Sequence, residues 1–339
     1  MGLLNAPRKR VVFFGNGYDY SLAFLRTVAM LDVDLVGIVC PTPDQERRGW
    51  AARARRLALQ LPSRVGRSLP ASFTGEFPAE VVRTAHQTGA QVFWPATVND
   101  HCFVEELELI DPDVVVMAGF SEILAPVVIE RLSPILNVHP SSLPLHRGPH
   151  PEFWTVRDGD TEGGVTIHLV DDGVDTGEIV GQERFALEPW VTGGQLQARA
   201  IRLGCLLLQR LLAEPGPVTD LPSWPQEGPA SYEGRIEPSD LVLPFESEAK
   251  SAYDLARAAS PWLQVRTFAP RRWWLGAHMA STGALSMGSA PDLLRLTLRR
   301  PSLFPDADVG TPGTIRRIEG GGVAIACNPG VVVFHEVVG

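Results

Sequence analysis

The sequence predicts an α/β protein: a mostly parallel sheet covered by helices, followed by a smaller β-rich domain. Three observations carry this reading. The 339 residues exceed what one ordinary hydrophobic core organises, so two domains are expected. Through the first two-thirds, short β-branched runs alternate with helical patterns, as they do where covering helices join the strands of a sheet. Beyond Tyr232 the chain turns to closely spaced strand-like runs punctuated by Gly and Pro, the pattern of a small antiparallel barrel or sandwich.

Taken in order, strands are expected at residues 10–15, 33–40, 91–94, 113–118 and 135–138, bounded by Gly, Pro or Asp. Helices fall between them, around 21–31, 100–110 and 126–132. Residues 47–70, RRGWAARARRLALQLPSRVGRSLP, form an Arg-rich stretch. Its ordinary reading is a solvated helix and loop, and its alternative an anionic-ligand site built on Arg47, Arg48, Arg53, Arg55 and Arg56. Strands at 165–170 and 178–186 lead into an amphipathic helix over 192–213. The Pro- and Gly-rich segment that follows lacks apolar periodicity and reads as a linker over 214–231, separating a domain at 1–213 from one at 232–339. The second domain opens with a helix at 246–259 and continues in the runs LLRLTL, GTIRRIE, GVAIAC and GVVVFHEVV.

Composition narrows the function. The chain is 45% hydrophobic and 20% charged, with no apolar run long enough to span a bilayer, so a folded, cytoplasmic protein is expected, without membrane partners. The start, MGLLNAPRKRVVFFG, has no uninterrupted apolar core and no cleavage site, and Ala6 stands where a myristoylation signal wants Ser or Thr. A net charge of −9 provides no overall positive field for nucleic acid, and from Ser231 onward acidic and basic residues are equal in number. Local basic patches remain open. Cys40, Cys102, Cys205 and Cys327 are scattered without a CxxC pair and read as buried thiols. His139, His146 and His150 lie across a Pro-rich loop with no carboxylate fixed nearby, so no metal is expected.

The chemistry concentrates between Val114 and Val180. Asn137 and His139 are two apart at a strand end, so the strand period puts amide and imidazole on one face. Pro140 ends that strand. Some residues later VDDGVDTG sets Asp171, Asp172 and Asp175 in a Gly-flanked loop able to return to the same sheet edge. An amide, an imidazole and a carboxylate at such an edge suit acyl transfer, with N–H groups for an oxyanion and a carboxylate to orient the imidazole. No GxSxG elbow is present, so direct attack by a substrate amine is simpler than a covalent intermediate. The same residues also serve as turn devices and strand caps, and on residue types alone both readings stand.

The order of motifs resembles the formyltransferase family that uses 10-formyltetrahydrofolate. Its Asn-x-His-Pro-Ser, Leu-Pro and Arg-Gly appear as Asn137, His139–Ser141, Leu143–Pro144 and Arg147–Gly148, and its Asp-x-Gly-x-Asp-x-Gly as Asp171–Gly177 after Gly164–His168. The resemblance spans roughly residues 10–213. It implies a Rossmann-like formyltransferase domain, an OB-like C-terminal domain, 10-formyltetrahydrofolate as formyl donor, and Asn137, His139 and Asp175 as the catalytic set. It also implies that Met117, Gly119, Phe120, Ile123 and Leu124 line the folate pocket. Asp171 and Gly173 are assigned to the folate as well, Asp171 and Asp172 also serving the architecture of the loop.

Acceptor residues follow from the same resemblance. The loop RGPHPEFW is similar to that of sugar formyltransferases, which assigns Arg147, Gly148, Phe153 and Trp154 to the acceptor, although paired aromatics opening a helix also suit a core. Gly15, Asn16 and Gly17 partly resemble a phosphate-binding loop, with Tyr18 and Asp19 where that loop has Ser and Asn; Tyr20 spoils a dinucleotide fingerprint. The expected partners are the folate donor and a small amine: an amino sugar, amino acid or natural-product precursor. Initiator Met-tRNA is the alternative acceptor and water, in a formyl-folate hydrolase, the second. Oligomeric state is not legible.

Overall fold

The computed structural model describes residues 7–16, 18–40, 76–132, 134–243, 248–270, 293–307, 312, 315–318 and 322–338. Gly17 and the Arg-rich stretch 47–70 lie outside them. Strands β1 (Arg10–Gly15), β2 (Asp34–Val39), β3 (Gln91–Phe93), β4 (Val114–Ala118), β5 (Ile135–His139), β6 (Glu162–Leu169) and β7 (Ile179–Ala186) form one sheet in the order β3-β2-β1-β4-β5-β6-β7. The ladders from β3 through β5 are parallel, and β6 joins β5 antiparallel. The reversal at β6 needs no crossover helix, because an antiparallel neighbour can be reached by a loop.

Alternation along the strands places a hydrophobic core on each face of the sheet. Val11, Phe13, Val116, Leu136 and Val138 pack with α1 (Asp19–Met30), α2 (Glu76–Thr88) and α6 (Gly193–Ala213); Val12, Phe14, Val115 and Ile135 pack with α3 (His101–Glu108) and α4 (Pro126–Leu132). Strands buried on both faces read as continuous apolar runs, which is why β1 and β4 stand out in the sequence. Helix α3 starts where Asp100 accepts the Phe103 N–H at 3.1 Å, satisfying a first-turn donor.

The C-terminal region forms a five-stranded antiparallel sheet, β10-β11-β12-β9-β8, from β8 (Val265–Pro270), β9 (Leu293–Phe304), β10 (Ile315–Arg317), β11 (Val323–Ala326) and β12 (Val331–Val338). Strand β9 runs twelve residues, past the LLRLTL run, and keeps one register against β12 on both sides of Arg300, which adopts φ 55°. Helices α5 (Pro151–Arg157) and α7 (Ala249–Ala259) belong to the same compact unit, which comprises Gly148–Gly163, Phe185–Ala198 and Tyr232–Gly339; the other comprises Met1–Arg147, Gly164–Arg184 and Arg199–Ser231. In α7 the buried Arg257 donates to Asp254 at 2.8 Å and to the Val191 carbonyl at 2.8 Å, so its charge is paired.

Of the four cysteines, Cys40 and Cys327 are buried, Cys205 is half-buried and Cys102 is exposed. The expectation of buried thiols fails at Cys102, the second residue of α3. Among the described residues, no helix is long and apolar enough to cross a membrane.

Candidate active site

Asn137 and His139 emerge from the carboxyl end of β5, where parallel sheets present their loops. They share the face of Ile135, as the period of two requires. Both are nearly buried, 8% and 5% exposed, so their polar atoms need partners within the fold. The loop after β6 supplies them. Asn137 donates through Nδ2 to Asp175 Oδ1 at 3.1 Å, while Asp175 Oδ2 lies 3.5 Å from His139 Nδ1. One carboxylate therefore serves amide and imidazole together, one oxygen to each.

Asp175 reaches this position through a tightly specified turn. Asp171 Oδ1 accepts from Gly173 N at 3.1 Å and from Thr176 Oγ1 at 2.6 Å, closing the loop on itself. Asp175 adopts φ 53°, a left-handed conformation that Asp tolerates better than most side chains. At Gly177 an added Cβ would stand 1.9 Å from the Leu169 carbonyl oxygen, so only glycine lets the chain pass.

The histidine protons follow from their partners. His139 Nε2 lies 2.9 Å from the His146 carbonyl, which only accepts, so Nε2 carries hydrogen and Nδ1 is the nitrogen that faces Asp175. His168, 2% exposed, is a member the sequence reading missed. Its Nδ1 donates to Leu169 O at 2.7 Å, leaving Nε2 to accept from Asn137 Nδ2 at 3.1 Å, with Asp175 Oδ1 3.4 Å away. His168 stands directly opposite Asn137 in the antiparallel β5–β6 ladder. Only the register of that ladder reveals it.

Other supports also come from outside the motifs. Thr166, opposite His139, donates to Ser141 O at 2.8 Å and accepts from Leu143 N at 3.2 Å and from Gln182 Nε2 at 2.9 Å, fixing the loop after Pro140. Tyr20, the residue that spoils the dinucleotide fingerprint, donates its hydroxyl to Val138 O, 3.1 Å away, between Asn137 and His139. Gln226, from the expected linker, donates to the carbonyls of Asp175 at 2.8 Å and Gly177 at 2.9 Å, and its Oε1 accepts from Arg147 at 2.8 and 3.1 Å. Trp224 pairs with Ile179 through both backbone groups, so this part of the segment lies along β7 as an added bridge.

The candidate folate residues fall at the carboxyl end of β4. Met117 pairs with Asn137 in the β4–β5 ladder, Gly119 adopts φ 62°, and Phe120 packs on Phe14 with ring centroids 5.2 Å apart. Leu124 is buried in the core and Ile123 is 75% exposed. Glu122 holds this loop by accepting from Thr97 Oγ1 at 2.8 Å and Val98 N at 3.1 Å, and Asn99 ties the backbone of Ile123 and Ala125. Asp171 and Gly173 are exposed.

Of the candidate acceptor residues, Gly15 passes where a Cβ would meet Ser21 Oγ at 1.9 Å, and the Asn16 side chain accepts from Tyr18 N at 3.1 Å. Arg147 is held by Gln226. Gly148 adopts φ 98°, and Phe153 and Trp154 are buried on α5 in the second compact unit, where Trp154 donates to Pro149 O at 3.2 Å and stacks under Arg157. Beside them His150 Nδ1 lies 3.8 Å from Glu152, which raises the His150 pKa above its ordinary value despite partial desolvation.

Residues 10–211 match the family model described as formyl transferase. The chain belongs to the formyl transferase family. With membership comes the family's reaction, transfer of a formyl group from 10-formyltetrahydrofolate. This formyltransferase is 30% identical over 334 residues to a methionyl-tRNA formyltransferase of Symbiobacterium thermophilum, covering 97% of this chain and 87% of that one. It is 31% identical over 265 residues to a methionyl-tRNA formyltransferase of Syntrophus aciditrophicus, covering 77% and 76%. Among solved structures it resembles in fold an N-formyltransferase from Helicobacter canadensis, crystallised with folinic acid and dTDP-3-aminofucose, at a TM-score of 0.61 and 16% identity, over 98% of this chain and 100% of that one. HypX from Aquifex aeolicus aligns at a TM-score of 0.54 and 14% identity, over 97% of this chain and 44% of that one.

Proposed function

We propose that this formyltransferase moves the formyl group of 10-formyltetrahydrofolate to the amine of a small acceptor, such as an amino sugar, amino acid or natural-product precursor. The observation that carries the mechanism is the sharing of Asp175 between Asn137 and His139. The neutral amine attacks the formyl carbon, whose oxygen takes up the negative charge. The Asn137 amide N–H and the protonated His139 stabilise that oxyanion. For this, Asn137 releases its neutral contact with His168 and keeps the charge-assisted one with Asp175, which is the stronger. Asp175 stabilises the imidazolium and, directly or through water, relays the proton that the amine sheds. Collapse breaks the carbon–N10 bond, N10 takes a proton, and a formamide and tetrahydrofolate result.

The small-amine reading is supported by the RGPHPEFW loop and by the charge of the C-terminal region. Its acidic and basic residues balance from Ser231 onward, so the region carries no net positive field toward a polyanion. The second reading, formylation of initiator Met-tRNA, is favoured by the 30% identity that extends through the C-terminal region to a protein of that name. Incubation with formyl-labelled donor and separate acceptor pools decides between them. Label in an amino-sugar, amino-acid or related amine pool supports the proposal. Label confined to charged tRNA, or released only as formate, overturns it.

A further inference from the structure

Gln226 lies in the Pro- and Gly-rich segment after α6, in which the sequence shows no functional pattern. Yet its amide is fully engaged. Both Nε2 hydrogens go to the carbonyls of Asp175 (2.8 Å) and Gly177 (2.9 Å), and Oε1 receives Nη2 (2.8 Å) and Nε (3.1 Å) of Arg147. The partners fix which end is nitrogen, because carbonyls only accept and a guanidinium only donates. Two loops meet at this side chain. One carries Asp175, whose Oδ2 faces His139 Nδ1; the other carries His146, whose carbonyl receives His139 Nε2. The second loop is tied to the same segment through Ser231, which accepts the His146 N–H on Oγ at 2.7 Å and the Arg147 N–H on its carbonyl at 3.0 Å.

We propose that Gln226 is a positioning residue for formyl transfer: its amide holds the left-handed Asp175 turn at the distance at which the carboxylate serves His139 and Asn137. This rests on the reading of Asp175 as the catalytic carboxylate. The turn is held from within by Asp171, which fixes its shape, whereas Gln226 fixes its place against the Arg147 loop. Positional demands at reacting groups are steep, a shift of about 1 Å being enough for a large loss of rate.

Two substitutions separate the roles of the amide. Gln226→Met keeps the side-chain length and removes both pairs of hydrogen bonds. Gln226→Glu keeps an acceptor for Arg147 and turns an oxygen on the two carbonyls. If the amide positions Asp175, both lower kcat by about 10- to 100-fold with donor KM unchanged. In an Asp175→Asn background the same substitutions add less than about twofold, because the group they position no longer acts. A Gln226→Glu enzyme with wild-type kcat would show that the residue only anchors Arg147. Losses that multiply with Asp175→Asn would show a merely structural role. Should Gln226→Met fail to fold, Gln226→Glu carries both comparisons. An Asp175→Asn enzyme of wild-type activity overturns the catalytic reading itself, whatever Gln226 does.

Discussion

Replacing Asp175 by Asn separates charge from shape at the centre of the site. Asn tolerates the φ of 53° as well as Asp does and keeps one oxygen, so the turn built by Asp171, Thr176 and Gly177 stands. What disappears is the negative charge 3.5 Å from His139 Nδ1, between side chains only 13% and 6% exposed. At that separation and an effective dielectric of about 20, a unit charge pair interacts by about 5 kcal/mol. The new amide dipole recovers part of this, so a loss of about 3–4 kcal/mol in transition-state stabilisation is expected, or about two to three orders of magnitude in kcat. Single-turnover formyl transfer to the acceptor found in the pool experiment measures it, with donor affinity by calorimetry and a thermal melt as controls. An Asp175→Asn enzyme that folds, binds donor and retains more than about a tenth of wild-type kcat would refute this assignment.

Three further outcomes test parts of the structure. Gly177→Ala forces a Cβ onto the Leu169 carbonyl and should cost about 1–3 kcal/mol in urea unfolding as well as activity; an unchanged midpoint would show that the loop yields freely. Glu122→Ala releases the loop that carries Phe120 and Leu124, so donor KM should rise by up to about thirtyfold at nearly constant kcat, two hydrogen bonds of about 1 kcal/mol each being lost; a constant KM would remove that loop from the donor site. The His150 pKa is raised, so its pairing with Glu152 contributes stability below the ordinary histidine range and loses it as pH rises through the raised value; an NMR titration should find the midpoint lowered in Glu152→Gln, and an equal midpoint would contradict the pairing.

Much of the sheet was legible because its order is written in local pattern. Strands β1 and β4 are apolar on both faces, and each neighbouring helix bears an apolar stripe, so period and punctuation suffice. The Asn137 and His139 pair was legible for the same reason, being two apart on one strand. His168 was not, because its approach to Asn137 depends on an antiparallel register between strands whose sequences permit several. Thr166 is hidden likewise, although both lie in the Gly164–His168 run. Gln226 was invisible for a different reason: a segment rich in Pro and Gly has no periodicity to read, and its backbone pairing at Trp224 is set by tertiary contact with β7. In the sequence Tyr20 is only a defect in a fingerprint, whereas in the fold its hydroxyl spans to the strand that carries the site.

We propose that the cluster of Asn137, His139 and Asp175 transfers a formyl group from folate to an amine. The most direct measurement is NMR of a reaction containing ¹³C-formyl donor, the purified protein and the small-amine pool. A new formamide resonance should grow in step with tetrahydrofolate, and it should be absent with the His139→Ala or Asn137→Ala enzyme. A label that stays on the donor, that appears solely as formate, or that reaches the amine equally fast with either variant would contradict it.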